Sequence, residues 1–158
     1  MRTTKRTPAG EALTTFILDL FRLNSLLLTE GDRLVAGLGL TSARWQILGA
    51  IVAAERPQPV AWLARDLGAN RQNVQRIVND LEREGLVAFE TNPHHRRAQL
   101  VVLTDKGRQT YDAADRLQAP WINSLSDGLT IKDIEKAHGV IQAVRRKLDG
   151  DDETEARA

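Results

Sequence analysis

The chain has no cysteine. That excludes disulfide frameworks, Cys-ligated zinc, iron–sulfur clusters, thiol nucleophiles and thiol redox switches. An excess of one charge is missing too: 22 Lys+Arg face 21 Asp+Glu, a formal +1 over 158 residues. Nothing in that total demands a polyanionic partner, so a nucleic-acid reading has to come from where the charges lie. Long unbroken apolar runs are lacking, with stretches as short as Leu26-Leu27-Leu28, and no membrane span is expected. The basic start (Arg2, Lys5, Arg6) leads into no apolar signal core, because Glu11, Asp19 and Arg22 interrupt it. Internal repeats, low-complexity linkers, phosphate loops, nucleophile elbows and paired catalytic acids are also absent. The expectation is one soluble cytoplasmic domain over 1–158, its composition ordinary for a globular protein.

What is present is mostly helical periodicity. From Leu13, apolar residues recur at Phe16, Ile17, Leu20, Leu23, Leu27 and Leu28, and Phe21 and Leu26 widen the stripe beyond one face. A helix apolar over most of its girth needs a second partner besides its own core. Gly37 and Gly39 end it, and Thr41 caps a second helix through Trp45, Leu48, Ile51 and Val52, up to the break at Pro57-Gln58-Pro59. Two short helices follow, with stripes Val60, Leu63, Ala64, Leu67 and then Val74, Ile77, Val78, Leu81. Gly68 separates them, Asn70 caps the second, and Gly85 ends it. Leu86–Thr91 and Gln99–Leu103 read as two strands joined by the loop Asn92-Pro93-His94-His95-Arg96-Arg97. Thr104 then caps a helix carrying Tyr111, Ala114, Leu117, Trp121 and Leu125, which Pro120 is expected to kink or split. Beyond Gly128 and Thr130, Ile134, Ala137, Ile141, Val144 and Leu148 step by 3, 4, 3 and 4, a coiled-coil seam suited to a second copy of the chain. Residues 149–158 carry five acids against Arg157 and read as a solvated acidic tail.

The centre is thus helix, tight turn, helix and two-stranded hairpin, which is a winged helix-turn-helix over 41–104. Helices at 11–38 and 105–148 flank it, giving a mainly α fold with a small β-hairpin wing. With Val74, Ile77, Val78 and Leu81 facing inward, the second short helix turns outward Arg71, Gln72, Asn73, Gln75 and Arg76. Arg pairs with guanine edges and Asn or Gln with adenine edges in a major groove, and the N-terminal residues of a recognition helix are the ones presented there. A merely solvated face would be expected to mix Glu with Lys, and no acid occurs between Asn70 and Asn79. Arg96 and Arg97 at the hairpin tip suit a minor groove. Arg65, Lys106 and Arg108 are phosphate-contact candidates.

In order, these residues resemble the multiple-antibiotic-resistance regulator (MarR) family of bacterial winged-helix transcription factors. The resemblance runs through Leu40-Thr41…Trp45-Gln46-Ile47-Leu48, Leu63-Ala64…Leu67-Gly68 and Arg71…Val74…Arg76-Ile77-Val78…Leu81-Glu82…Gly85-Leu86-Val87. It closes with Arg97-Ala98…Val101…Leu103-Thr104…Lys106-Gly107. It implies a homodimer formed through the terminal helices, with Phe16, Leu20, Ile134, Ile141, Val144 and Leu148 at the contact. It also implies double-stranded DNA as partner, repression as the commoner mode, and no cofactor or metal. A small aromatic or phenolic effector is expected between the dimerisation helices and the DNA-binding lobe, with Phe21, Trp45 and Trp121 as candidate lining residues and Arg44 as candidate partner of its carboxylate. One departure stands out: the family's wing carries an acid two residues before the arginine, where this chain has His95, read as donating to a phosphate or capping the turn. Trp62 stands where the family tends to be polar; packing against the wing and grazing the sugar–phosphate backbone are open to it, and core-edge packing is the simplest reading.

Two rivals belong to other classes. An enzyme would have to use His94-His95 and the distant His138, whose spacing completes no metal site. A winged-helix module devoted to protein contacts would present an apolar or acidic second helix, unlike Arg71–Arg76.

Overall fold

Helix caps expected from single residues organise most of the computed structural model, which describes residues 5–150. Helix α1 spans Pro8–Val35, with Thr7 as N-cap accepting from Gly10 N, and a 3₁₀ turn (Ala36–Leu38) continues it to Gly39 in the left-handed region. Helix α2 (Ser42–Ala53) is capped by Thr41, and α3 is Val60–Asp66. Helix α4 (Arg71–Arg83) is capped by Asn70 and followed by Gly85 at φ 75°. Strands β2 (Val87–Glu90) and β3 (Leu100–Leu103) form the hairpin, in the register Val87↔Leu103 to Glu90↔Leu100. Helices α5 (Asp105–Ser126) and α6 (Ile131–Asp149) complete the described chain, α6 being capped by Thr130.

The sheet has one strand more than expected. Gln58–Pro59, read as a break, forms β1 and pairs antiparallel with β3 through Gln58↔Val101 and Pro59↔Leu100, giving the order β1-β3-β2. Proline is tolerated there because an edge strand need not donate on its outer side. Pro120 does not split its helix either, since α5 runs through it to Ser126. One missing N–H costs a single backbone bond, which the turns on either side outlast. A third difference concerns α1. With its 3₁₀ turn it forms a 31-residue helix, Pro8–Leu38, long and apolar enough by length and composition to cross a membrane. Counting unbroken runs missed this, because isolated polar residues interrupt the run without making the helix polar.

The contacts divide the chain into two compact units, one up to Gln118 and one from Ala119, where a single domain was expected. In the first, Leu48, Leu63, Leu81, Val35, Val74, Val78, Val87 and Val101 are fully buried and Ala114 of α5 closes the core. Each such Leu or Val contributes about 1.5–3 kcal/mol relative to exposure. The end of α1 locks onto the start of α2: Ser42 N donates to Asp32 Oδ1 at 2.6 Å and Ser42 Oγ to the Leu28 carbonyl at 2.8 Å. The carboxylate of Asp32 thus faces the positive end of the α2 dipole. Gly31 is buried beside Ser42, with no room for a Cβ. The second unit holds the rest of α5 and α6, and none of the residues of α6 is buried. The acidic tail, past Gly150, lies outside the described residues.

The first turn of α5 grips the end of α4. Thr104 Oγ1 donates to the Gly85 carbonyl at 2.6 Å and accepts from Gly107 N at 3.0 Å, while Thr104 N donates to the Leu86 carbonyl at 3.2 Å. Gly107 is buried, and a Cβ there would overlap the backbone carbonyl of Leu86, which cannot swing aside. Gly107→Ala is therefore expected to cost about 1–3 kcal/mol or more. Gly139→Ala, with nothing within 4 Å of the added carbon, should gain up to about 1 kcal/mol of helix propensity. Denaturant midpoints of the two variants check this, and equal midpoints would contradict the close approach.

Candidate nucleic-acid interface

Helix α4 starts because Asn70 stays extended and turns its amide oxygen onto two free N–H groups. Oδ1 accepts from Gln72 N at 2.9 Å and from Asn73 N at 3.2 Å, a cap commonly contributing about 1 kcal/mol. With Val74, Ile77, Val78 and Leu81 buried, the helix can rotate no further. Arg71, Gln72, Asn73 and Arg76 are left exposed and Gln75 half-buried. Arg76 Nη2 donates to Asn73 Oδ1 at 2.9 Å, and Gln75 Nε2 to Asn79 Oδ1 at 2.9 Å, so these side chains are ordered against one another. Arg71 and Arg76 occupy the positive end of a helix with no acid in its first turn. Cations are disfavoured there and anions favoured. The arrangement is poor for an isolated helix and suited to an external polyanion.

The wing loop is organised by Asn92, which the sequence reading passed over. Its buried side chain donates from Nδ2 to the Ala98 carbonyl at 3.0 Å and accepts at Oδ1 from His94 N at 3.0 Å. Backbone bonds from His95 N to the Asn92 carbonyl and from Ala98 N to the His95 carbonyl complete the turn. The Asn-Pro pair after a strand is the signal that could have found it, since Asn bonds to backbone two residues on. His95 closes the turn through its backbone, and no side-chain cap from it is seen. Among the described residues Arg96 and Arg97 are exposed and have no hydrogen-bonded or ion-paired partner.

One cleft brings part of the expected set together. Arg71, Gln75 and Asn79 of α4 line it with His95 and Arg97 of the wing and Trp62 of α3. Gln72, Asn73, Arg76 and Arg96 are not among its lining residues, and Arg65 lines a neighbouring groove with Arg56 and the other side of Trp62. Trp62 is 42% exposed, which corrects the expectation of core-edge packing. Lys106 is no free phosphate contact, because its Nζ donates to the Glu84 carbonyl at 2.7 Å at the negative end of α4.

The effector candidates separate in the same way. Arg44 meets Glu84 fork to fork, with both N···O distances 2.9 Å, and adds a bond to the Gly39 carbonyl. Its guanidinium is thus occupied within the chain and is not free for a ligand carboxylate, contrary to expectation. Trp45 is half-buried against the core, Phe21 is 66% exposed on α1, and Trp121 is half-buried in the second unit. Of the dimerisation candidates, Phe16 and Leu20 on α1 are half-buried, as is Val144 on α6, while Ile134, Ile141 and Leu148 are exposed.

Comparison with known proteins bears on this geometry. A family model described as the MarR family matches residues 38–98. The uncharacterized protein Rv2011c of Mycobacterium tuberculosis is 38% identical over 120 residues, covering 76% of this chain and 82% of that protein. The transcriptional activatory protein BadR of Rhodopseudomonas palustris is 33% identical over 122 residues, covering 73% and 67% respectively. Among solved structures, the transcriptional repressor CouR bound to a 23-mer DNA duplex matches with a TM-score of 0.73 at 25% identity, over 90% of this chain and 100% of that one.

The Arg44–Glu84 pair is checked by a double-mutant cycle of Arg44→Ala and Glu84→Ala. The expected coupling is about 1 kcal/mol, the upper end for a partly exposed pair, because its geometry is bidentate. Additive denaturation free energies would show that the pair contributes nothing.

Proposed function

The chain belongs to the MarR family of transcription regulators, and from that we propose that it reads a pseudo-palindromic operator as a homodimeric repressor released by a small aromatic or phenolic effector. One observation carries the DNA reading. The acid-free face Arg71–Arg76 opens beside the unpaired wing arginines, and Arg71, Gln75 and Arg97 share one cleft. In this reading α4 enters the major groove, where Arg71 and Gln75 meet base edges. Arg97 reaches the flanking minor groove. The winged-helix module devoted to protein contacts is the weaker reading, since its second helix would not concentrate Arg, Gln and Asn without an acid.

The homodimer is supported by apolar surface that each unit leaves bare. Helix α1 exposes Leu18, Phe21, Leu23 and Leu26, and α6 exposes Ile134, Ile141 and Leu148, the last 81% exposed. Clusters of exposed large apolar side chains mark interaction surfaces, and the 3-4 stepping on α6 fits a partner helix. Two-fold symmetry then places half-site centres about 10 base pairs apart. A long apolar α1 is accounted for by burial against a second copy, with the protein working in the bacterial cytoplasm, where its DNA is. For the effector, Trp45 and Phe21 are the remaining candidates on the first unit and Trp121 on the second. Repression is the reading adopted, although BadR is named an activatory protein. A promoter–reporter strain with and without the gene decides the sign.

Selection of bound sequences from a random duplex library at about 150 mM salt tests the operator. A recovered pseudo-palindrome is expected, and enrichment of nothing by a folded dimer would overturn the reading. Arg71→Ala should lose about 1–3 kcal/mol on the selected duplex and relax preference at one position of each half-site. Equal loss on selected and random duplexes would remove Arg71 from base reading. Ile141→Asp should give a monomer by light scattering and abolish operator binding, whereas a dimeric, fully active variant would refute the seam.

A further inference from the structure

A third cationic feature stands on the DNA-binding lobe outside the recognition helix and the wing. Trp62 is the third residue of α3, and two guanidiniums lie over its ring: Arg65 Cζ is 5.5 Å from the ring centroid and Arg56 Cζ 6.0 Å. Both are within cation–π range. Arg65 comes from the next turn of α3, and Arg56 from the segment between α2 and β1. Five other described arginines of this unit are paired with acids: Arg6 with Glu11, Arg22 with Asp19, Arg33 with Glu30, Arg44 with Glu84 and Arg83 with Asp80. Arg56 has no carboxylate partner among the described residues, and the nearest to Arg65 is Asp66, 4.0 Å from Nε, the outer limit of an ion pair. Glu55 and Asp66 border the groove, so its attraction for anions comes from where the two guanidiniums are held and not from a surplus of charge.

Trp62 is also a ridge between two concavities. On one side it lines the cleft of Arg71, Gln75 and Arg97, and on the other the groove of Arg56 and Arg65. Trp62 is thus shared between the two guanidiniums and the residues assigned to base and minor-groove reading. Trp62 is 42% exposed, and its ring has two guanidiniums against it. A ring-stacked guanidinium keeps its N–H edge free, and that edge matches phosphate oxygens bidentately.

We propose that Arg56, Trp62 and Arg65 form a clamp for the DNA backbone. The two arginines take phosphates of the strand passing α3, and Trp62 acts as the positioning residue that fixes them. The clamp rests on the DNA reading above and extends its footprint by a sequence-independent contact. It adds affinity and register without choosing bases.

Fluorescence anisotropy on the selected duplex and on a scrambled duplex, each across a salt series, tests it. Arg56→Ala should weaken both duplexes by a similar factor, roughly five-fold. It should also lower the slope of log affinity against log salt by about 1, as loss of one phosphate contact requires. Trp62→Leu should reproduce that reduced slope with both arginines still present, and Trp62→Phe should restore it, because an aromatic face is what the guanidiniums need. Unchanged slopes in Arg56→Ala and Trp62→Leu, or a loss confined to the selected duplex, would overturn the clamp while leaving the operator reading intact. A wild-type protein that binds neither duplex would overturn both, and the two failures differ in whether the wild type binds.

Discussion

The close approach of α5 to the turn Glu84-Gly85-Leu86 is the contact on which the DNA-binding lobe depends. Four elements converge there. Helix α4 ends in it, β2 leaves from it, α2 reaches it through the Arg44–Glu84 fork, and α5 covers it with Thr104, Lys106 and Gly107. The carbonyls of Glu84, Gly85 and Leu86 each receive a bond from the Thr104–Lys106 segment, so the turn that ends α4 is held by groups of the protein. Lacking a Cβ at Gly107, the two backbones can approach closely enough for those bonds to form. Because the wing springs from the same turn, fixing it fixes the angle between the recognition helix and the hairpin. The one cleft lined by Arg71, Gln75 and Arg97 is a consequence of that angle.

Legibility in the sequence followed the range of each interaction. Asn70, Thr41, Thr104 and Thr130 act within three residues of themselves, and each caps the helix it was expected to cap. The buried stripes of α3 and α4 were equally plain, because burial repeats at the helical period. Strand β1 was not, since two residues carry no alternation and Pro59 argues against a strand until the edge position is known. Arg44 shows the opposite failure. Its guanidinium was expected to meet a ligand's carboxylate, and the one it meets lies 40 residues away in the same chain. Trp62 was misplaced because residue type predicts burial better than it predicts the company of two arginines. The candidate site was thus legible as a set of residues on α4 and the wing, while the subset sharing a cleft needed the third dimension.

The two units carry contrasting surfaces. The first has a closed core and a polar recognition face, and its apolar excess is gathered along α1. In the second, α6 contributes no buried residue. A helix of 19 residues with none fully buried, and only Ala143 and Val144 half-buried, gains little from packing among the described residues beyond its backbone bonds and caps. Its folding free energy is therefore tied to whatever covers Ile134, Ile141 and Leu148. With cysteine absent, no disulfide can tie that helix to a partner, and any signal is non-covalent or uses other residues.

The hairpin loop separates shape from charge. A wing held by an Asp–Arg pair loosens as ions screen the pair, so its geometry and its attraction for DNA fade together. Here a buried neutral amide, Asn92, holds the loop through the Ala98 carbonyl and the His94 N–H, and neutral hydrogen bonds are barely screened by salt. Those neutral bonds carry no net charge to screen, so salt bears on the exposed guanidiniums of Arg96 and Arg97 far more than on the turn itself. The wing thus separates what sets its form, an uncharged amide, from what carries its charge, two exposed arginines.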